Sequence, residues 1–238
     1  MHDPSKTLAG WTITFDLDGT LVETAPDLVG ALNVILIEQG MAPAPMTAVR
    51  QLVGHGVRGL LTRAYAMAGL AITEARIAEL RPRFIEIYQA RIAQESRPFP
   101  GCLGALADLR ARGAMLAVCT NKPEGLARLL LDELDMTGWF DAIVGGDTLP
   151  VQKPDPTPLL EAIARAGGDP GQAIMVGDAS PDVGAAKAAG LPCVICDFGY
   201  NDLPPDELGG DVVISHFDAL AGVIADIAAS CPTPAESL

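Results

Sequence analysis

The fold is decided by residues 11–20, which read Trp-Thr-Ile-Thr-Phe-Asp-Leu-Asp-Gly-Thr. The first five residues are β-branched or aromatic, as is typical of a buried strand, and the last three form a turn signal. Two carboxylates, Asp16 and Asp18, stand at the carboxyl end of this predicted strand. Because neighbouring carboxylates repel each other, we expect the pair to need a cation or a shared proton.

Further strands and helices follow in alternation. Later apolar runs end in polar or turn-forming residues and predict strands at 114–120, 142–145, 173–178 and 193–197. Helical patterns closed by glycine or turn signals predict helices at 101–112, 124–134, 158–166 and 181–189. Such alternation favours a parallel sheet covered on both faces, with ligands bound beyond the carboxyl ends of its strands.

Residues 25–96 interrupt this alternation. Their apolar residues follow a helical spacing, and no stretch among them predicts a strand convincingly. The return point, residues 97–101 (Arg-Pro-Phe-Pro-Gly), is stiff and unsuited to continuing a helix. We therefore expect a core domain of residues 1–24 and 97–238 and a helical cap domain of residues 25–96, with hinges near 24–27 and 96–101.

The composition is that of a folded globular protein. The chain has 238 residues, of which 49% are hydrophobic and 19% charged, with a mean hydropathy of +0.29. Because no apolar run approaches the ~18 residues that span a bilayer, and the N-terminus lacks a basic region followed by an apolar run, we expect a cytoplasmic protein without a membrane partner. A net charge of −14 argues against nucleic acid as a partner. The oligomeric state, monomer or dimer, is left open.

Five cysteines form an odd set in apolar surroundings, which predicts reduced thiols and not a disulfide framework. Cys193 and Cys196 are spaced C-x-x-C, but they lie in an apolar run without a second pair or a nearby histidine. A buried strand is favoured over a redox or zinc site at this position.

A second pair of carboxylates follows the predicted strand at 173–178. Asp178 ends the strand, and Asp182 stands four residues later at a predicted helix start. Together with Asp16 and Asp18 they offer only oxygen ligands, which suits Mg²⁺ and argues against zinc. A lone aspartate in such a position is usually a turn or capping residue, but four at strand ends are harder to explain in that way.

With these residues the chain resembles the haloacid dehalogenase-like superfamily of phosphotransferases. Its four motifs match in order: Asp16-x-Asp18-Gly19-Thr20, Thr120-Asn121-Lys122-Pro123, Lys153-Pro154-Asp155-Pro156 and Gly177-Asp178-x-x-x-Asp182. The matches fall within residues 15–190, most of the chain. The resemblance implies an α/β fold, a Rossmann-like doubly wound parallel sheet with an inserted small α-helical cap domain.

The resemblance also implies catalytic roles. Asp16 would attack phosphorus and form an aspartyl-phosphate, while Asp18 would protonate the leaving oxygen and later activate water. Thr120 would donate a hydrogen bond to a phosphoryl oxygen, supported by Asn121. Lys153 would neutralise charge on the phosphoryl group and hold the nucleophile in line.

For Mg²⁺, the resemblance implies direct ligation by Asp178, Asp16 and the backbone carbonyl of Asp18. Asp182 would act through water or by orienting Lys153, and a helix-dipole role is compatible with either. The dehalogenases lack an acid at the position of Asp18, so this chain resembles the phosphatase and mutase branch of the superfamily.

The predicted cap resembles that of the phosphoglycolate phosphatase and β-phosphoglucomutase group. Its glycine-rich turn contains Gly54, His55, Gly56 and Arg58. Backbone N–H groups at a helix start, backed by Arg58, could hold a small carboxylate. A plain interhelical turn is the alternative, in which His55 is only a polar turn residue.

Two further segments, residues 24–28 (Thr-Ala-Pro-Asp-Leu) and 198–201 (Phe-Gly-Tyr-Asn), are similar to the phosphoglycolate phosphatases. The fourth motif departs mildly, with Ala179, Ser180 and Pro181 between its acids. We expect Mg²⁺-dependent hydrolysis of 2-phosphoglycolate, a small anionic phosphate ester. The alternatives are another small-molecule phosphohydrolase, a sugar-phosphate mutase similar to β-phosphoglucomutase, and, more remotely, an inactive binding protein.

Overall fold

The computed structural model describes residues 7–45 and 56–231, and at its centre lies a six-stranded parallel sheet. The strands in this part of the chain are β1 (Thr12–Phe15), β2 (Val22–Glu23), β3 (Arg97–Pro98), β4 (Met115–Cys119), β5 (Ala142–Val144), β6 (Ala173–Gly177), β7 (Cys193–Cys196) and β8 (Val212–Ile214). The spatial order in the sheet is β5-β4-β1-β6-β7-β8, while β2 and β3 form a separate antiparallel pair.

Helices cover both faces of the sheet. The described α-helices are α1 (Ala25–Glu38), α2 (Gly56–Met67), α3 (Glu74–Gln89), α4 (Cys102–Ala111), α5 (Glu124–Glu133), α6 (Thr157–Arg165), α7 (Ser180–Ala189) and α8 (Leu220–Ser230). Apolar side chains of α6 and α7 join one core cluster with Met175 and Ile195. Those of α4, α5 and α8 join the other, with Ile13 and Phe15. The prediction of a doubly wound α/β sheet is thus confirmed.

Strand β1 occupies the middle of the sheet and positions the site. It pairs in parallel with β4 on one side and with β6 on the other. The strand order therefore reverses at β1, and the crevice at such a switch point is where open α/β sheets bind ligands. All four residues of β1 are buried, which accounts for its continuous β-type sequence. The ladder extends one step further, since the Asp16 backbone N–H donates to the Val176 carbonyl at 2.9 Å.

The five predicted strands and four predicted helices of the core are all present, with ends within two residues of those expected. The prediction was incomplete at the C-terminal edge, where the structure adds β8 and α8. Strand β8 has only three residues and pairs with β7 alone. So short an edge strand offers little apolar pattern to detect.

Residues 25–96 contain α1, α2 and α3, and no strand among those that the structure describes. Helix α1 begins with Pro26 in its first turn, where the missing N–H is no loss. The chain leaves and returns at one place, because β2 pairs with β3. Fully buried Asp27 reinforces this base: its Oδ2 accepts from the backbone N–H groups of Glu95 and Ser96 at 2.9 and 2.7 Å.

The cysteines follow the prediction from their surroundings. All five are unpaired thiols, and Cys193 and Cys196 both lie buried on β7. Burial raises the pKa of the Cys102 thiol to about 12. Among the described helices, none has the length and apolar character needed to cross a bilayer.

Candidate active site

A cavity of about 130 Å³ lies at the carboxyl edge of the sheet, between the sheet and the helical segment of residues 25–96. Its floor is formed mainly by polar side chains that follow the strands of the sheet, together with Pro123, Leu126, Ala179 and Pro181. The polar side chains are those of Asp16, Asp18, Thr120, Asn121, Lys122, Lys153, Asp178 and Asp182. Its roof consists of side chains from the helical segment: Leu28, Val57, Leu60, Phe84 and Tyr88.

Three carboxylates converge in the floor. Asp16 follows β1, Asp178 follows β6, and Asp182 lies in the first turn of α7. They can each offer one oxygen such that the three oxygens all lie within 4.8 Å of one another. A compact set of carboxylate oxygens is the donor set that a hard divalent cation prefers.

Asp178 is held by partners on both of its oxygens. Oδ1 accepts from the Thr20 hydroxyl at 2.6 Å, and Oδ2 accepts from the Tyr200 backbone N–H at 2.7 Å. Gly19, at φ +89°, allows this close approach, because a Cβ there would lie 2.5 Å from Oδ2 of Asp178. The turn that follows β1 therefore fixes the orientation of a carboxylate on β6.

Lys153 bridges the carboxylates. Its buried ammonium donates to Oδ1 of Asp16 at 2.8 Å, to Oδ1 of Asp182 at 2.6 Å and to the Cys119 carbonyl at 2.6 Å. Burial alone would lower the pKa of Lys153, but Asp16 and Asp182 raise it above its usual range. Asn121 holds the backbone of the lysine, donating to its carbonyl at 2.9 Å and accepting from its N–H at 3.0 Å.

Asp182 makes hydrogen bonds both to Lys153 and to the start of its own helix, α7. While Oδ1 binds Lys153, Oδ2 accepts from the backbone N–H groups of Asp178 and Ala179, each at 3.1 Å. A carboxylate at the third helical position that reaches back to the N-cap N–H stabilises the start of a helix. The structure thus places Asp182 in contact with Lys153 as well as with the start of α7.

The floor carries more negative than positive charge. Four carboxylates face the ammonium groups of Lys122 and Lys153, an excess of two charges. Burial, augmented by Asp182, raises the pKa of Asp16 to about 6 against the lowering effect of Lys153, and burial together with Asp182 raises the pKa of Asp178 well above its ordinary value. Carboxylates in this state are stabilised by a bound cation, so the floor fits a divalent metal ion in both donor chemistry and charge.

Asp18 lies outside the group of three carboxylates and instead binds Lys122. The Lys122 ammonium lies 3.0 and 3.2 Å from the two Asp18 oxygens and 2.8 Å from the Tyr88 hydroxyl. Although burial alone would lower it, Asp18 and Tyr88 raise the pKa of Lys122. Burial also raises the pKa of Tyr88, to about 12.

The parts played by Lys122 and Tyr88 were missed in the sequence. Lys122 stands inside the second motif but was given no role. Tyr88 lies four residues after Phe84 on α3, and the two rings stack with centroids 6.2 Å apart. An aromatic residue at helical spacing is indistinguishable by pattern from an ordinary core residue. The available signal was a tyrosine on an otherwise apolar helix face, since a buried hydroxyl usually finds a polar partner.

Of the residues predicted to bind substrate in the glycine-rich turn, the structure brings Gly56 to the cavity but not Arg58. The Arg58 guanidinium is paired with Glu74 in solvent, and the two side chains are 72% and 69% exposed. Gly54 and His55 lie outside the described residues. The structure therefore does not bring Arg58 to the cavity.

The floor combines the groups that phosphoryl transfer requires. Asp16 is a carboxylate with one oxygen held by Lys153, Asp18 is a second acid two residues away, and buried Thr120 lines the same cavity. Phosphoryl transfer depends on positioning and charge neutralisation more than on other covalent chemistry. The predicted residues Thr120, Asn121 and Lys153 all line the same cavity as Asp16.

Comparison with known proteins also indicates a phosphatase. The family description "haloacid dehalogenase-like hydrolase" matches residues 13–196. The chain is 46% identical over 234 residues to a phosphoglycolate phosphatase of Caulobacter vibrioides, covering 98% of this chain and 97% of that protein. It is 47% identical over 206 residues to the phosphoglycolate phosphatase of Agrobacterium fabrum, covering 87% and 88%.

Among solved structures, one similar chain is described as a predicted phosphoglycolate phosphatase from Haemophilus somnus. It superimposes with a TM-score of 0.82 at 31% sequence identity, covering 91% of this chain and 98% of that one. The likeness extends over both the sheet and the helical segment.

Proposed function

This chain belongs to the haloacid dehalogenase-like hydrolases and is phosphoglycolate phosphatase-like, and from this premise we propose that it hydrolyses 2-phosphoglycolate to glycolate and phosphate with Mg²⁺. The observation that carries the proposal is the convergence of Asp16, Asp178 and Asp182 around one point, with Lys153 bridging two of them. No single motif would place a nucleophile, a cation site and an ammonium group at one phosphoryl position.

Asp16 is the proposed nucleophile. Lys153 holds its Oδ1 at 2.8 Å, which leaves the other carboxylate oxygen to form the bond to phosphorus. As that bond forms, the bond from phosphorus to the ester oxygen breaks, and Asp18 transfers a proton to the departing oxygen. The products of this step are glycolate and a phosphorylated Asp16.

In the second step water hydrolyses the aspartyl-phosphate. Asp18, now a carboxylate, takes a proton from the attacking water, and the bond between Asp16 and phosphorus breaks. Phosphate departs and the carboxylate of Asp16 is regenerated. Lys122 keeps Asp18 beside the cavity in both steps, Thr120 binds a phosphoryl oxygen, and the ammonium charge of Lys153 beside Asp16 offsets the charge of the phosphoryl group.

Asp16, Asp178 and the backbone carbonyl of Asp18 are the proposed ligands of Mg²⁺, with Asp182 acting through Lys153 or through water. When bound, the ion would supply neutralisation of the negative charge on the phosphoryl group and on the carboxylates that hold it. The choice of Mg²⁺ is supported by the all-oxygen donor set and by the two-charge excess in the floor.

Residues 25–96 act in this proposal as a cap domain over a core of residues 1–24 and 97–238. The support is that this helical segment supplies the whole roof of the cavity, while it joins the rest of the chain at one base, formed by β2, β3 and Asp27. A closed roof excludes bulk water while the phosphoryl group is transferred to Asp16.

The size of the cavity supports a small ester. At about 130 Å³ it is close to the roughly 150 Å³ of an internal cavity that holds benzene, a molecule similar in size to a small ester. The relatives named phosphoglycolate phosphatase match nearly the whole chain. Both observations favour 2-phosphoglycolate over nucleotides or large sugar phosphates.

The test is a phosphate-release panel with Mg²⁺ that compares kcat/KM for 2-phosphoglycolate, glucose phosphates, glycerol phosphate and nucleoside monophosphates. We expect 2-phosphoglycolate to exceed each of the others at least tenfold. A larger kcat/KM for a sugar phosphate or nucleotide would overturn the substrate assignment.

The same panel separates hydrolysis from isomerisation. β-Glucose 1-phosphate is incubated with and without a bisphosphate activator, and both free phosphate and glucose 6-phosphate are measured. We expect no isomerisation. Bisphosphate-dependent conversion without phosphate release would identify a mutase, and failure to release phosphate from any ester would identify an inactive binding protein.

A further inference from the structure

Two buried lysines reach the cavity floor, and they differ in how many separate groups surround their ammonium protons. Lys153 has three hydrogen-bond acceptors, Asp16, Asp182 and the Cys119 carbonyl, for the three protons of its ammonium group. Lys122 has only two partner groups, because the two oxygens at 3.0 and 3.2 Å belong to one carboxylate, that of Asp18, and the third acceptor is the Tyr88 hydroxyl at 2.8 Å. Because one ammonium proton can serve both oxygens of Asp18, Lys122 can turn a proton to a further anionic group and keep both partners, whereas Lys153 would have to release one of its three partner groups.

Tyr88 is in a similar position. Its hydroxyl oxygen accepts from Lys122 at 2.8 Å, and no acceptor among the described residues takes the hydroxyl proton. The side chain is 1% exposed yet lines the cavity. A buried phenol with an unused O–H donor beside an ammonium group presents two adjacent donors to the interior of the cavity.

The geometry points to a carboxylate subsite formed by the Lys122 ammonium and the Tyr88 hydroxyl. This subsite binds the carboxylate of the substrate, next to the scissile ester. This inference rests on the proposed function and deepens it, because it names the groups that distinguish 2-phosphoglycolate from other small esters. The two oxygens of a carboxylate match the two donors, in a charge-assisted pair.

The length of the substrate fits this assignment. The ester oxygen must lie within about 3 Å of Asp18 to receive its proton. In 2-phosphoglycolate the carboxylate carbon is two bonds further, roughly 2.5 Å away. The carboxylate must therefore be bound close to Asp18, and Lys122 lies 3.0 Å from that residue.

No third cation among the described residues competes with the two lysines for the substrate's carboxylate. Among the described residues that line the cavity, only Lys122 and Lys153 carry a positive charge. Arg58, which the sequence suggested for this task, is paired with Glu74 outside the cavity. A carboxylate placed beside Asp18 without a neighbouring cation would be repelled, so Lys122 also makes the site tolerable for a second anion.

The test measures a selectivity ratio: kcat/KM for 2-phosphoglycolate divided by kcat/KM for ethyl phosphate, which has the same reacting atoms and no carboxylate. For Tyr88→Phe we expect this ratio to fall about tenfold, and for Lys122→Met about a hundredfold, as hydrogen bonds to charged groups are lost. Lys122→Arg should retain more of the ratio than Lys122→Met. Matched controls are Tyr65→Phe and Lys187→Met, which lie outside the cavity lining.

A third ester tests the reach argument. In 3-phosphopropionate the carboxylate lies one methylene further from phosphorus, and the wild-type protein should prefer it over ethyl phosphate much less than it prefers 2-phosphoglycolate. The Tyr88→Phe variant should then treat the two carboxylate esters more alike. An unchanged preference order in Tyr88→Phe counts against the subsite.

The outcomes separate the inference from the function on which it rests. If the wild-type ratio is near one, 2-phosphoglycolate is not the substrate and the proposed function fails. If the wild-type ratio is large but Tyr88→Phe and Lys122→Met lose activity equally on both esters, the two residues only position Asp18 and the subsite is overturned. Should Lys122→Met be inactive or unfolded, Tyr88→Phe decides alone, because Tyr88 does not bind Asp18.

Discussion

The floor and the roof of the cavity are built on different principles. In the floor, Asp178, Asp182 and Lys153 each have two or three hydrogen-bond partners, so their positions are fixed before any substrate arrives. In the roof, four of the five side chains are apolar, and Tyr88 alone reaches a polar partner across the cavity. The comparison teaches that the fixed charges lie in the floor, whereas the roof contributes apolar shape and one hydroxyl, that of Tyr88, which meets the floor at Lys122.

The largest effect should come from removing the nucleophile in the floor. For Asp16→Asn we expect phosphate release from every ester to fall ~10⁴-fold or more, because an amide oxygen cannot form the aspartyl-phosphate. The rate is measured by phosphate release with Mg²⁺ present. Asp226→Asn, an exposed change on α8, is the matched control. Substantial turnover by Asp16→Asn would remove the covalent mechanism.

The next effect distinguishes the two lysines. Lys153→Met should lower kcat/KM on the order of 10²–10³-fold, as when a preorganised donor to the reacting group is lost. The loss should be the same for 2-phosphoglycolate and ethyl phosphate, since Lys153 acts on the phosphoryl group that both esters share. A loss confined to the carboxylate ester would show that Lys153 recognises the carboxylate of the substrate and does not act on the phosphoryl group.

The charge excess of the floor predicts a pH dependence of stability. The pKa of Asp16 is raised from 3.8 to about 6 mainly by burial, so the metal-free folded state favours the protonated acid. The stabilisation of the folded state by protonated Asp16 is present in full below pH 4 and is lost as the pH rises through 6. The free energy of unfolding then falls by about 3 kcal/mol. Metal-free protein should therefore become less stable between pH 4 and pH 7.

Added Mg²⁺ binds the ionised carboxylates, so it should raise Tm by several degrees more at pH 7.5 than at pH 5. Thermal unfolding with and without the ion, at both pH values, measures this difference. In Asp16→Asn the difference should shrink. Equal shifts at both pH values would show that Asp16 does not take part in binding the ion.

The smallest effect should come from the apolar part of the roof. Phe84→Leu keeps an apolar side chain but loses the stack on Tyr88, and we expect it to cost about 1 kcal/mol of stability. KM for 2-phosphoglycolate should rise a few-fold while kcat changes little. Phe99→Leu, in an aromatic pair outside the cavity lining, should lose similar stability with an unchanged KM. A collapse of kcat in Phe84→Leu would mean that the roof takes part in the chemistry.

The residues of the floor could largely be predicted from the sequence, whereas the contacts of the roof could not. Asp16, Lys153 and Asp178 were predictable because each lies at or near the end of an apolar run or in a short motif, and parallel strands bring their carboxyl ends together. Their mutual geometry follows from the sheet. Strand β8 escaped prediction because three edge residues carry almost no periodic signal.

The roof was harder to predict because its contacts join distant helices. Arg58 was expected to hold a carboxylate, but Glu74, at the start of the next helix, supplies a local partner in solvent. Tyr88 looked like a core aromatic, and its pairing with Lys122 crosses from α3 to the loop before α5. Pattern reasoning finds which side of a helix is buried, and it does not find what that side meets.

The base formed by β2, β3 and Asp27 has a consequence for how such catalysts diversify. Because the chain departs from the sheet and rejoins it at adjacent points, the ends of the excursion stay together whatever lies between them. The entropy of closing a loop grows only slowly with its length. Insertions, deletions and replacements within residues 25–96 therefore leave the register of β1 against β4 and β6 unchanged. Evolution can in this way alter the residues that recognise the substrate while the catalytic residues at the sheet keep their positions.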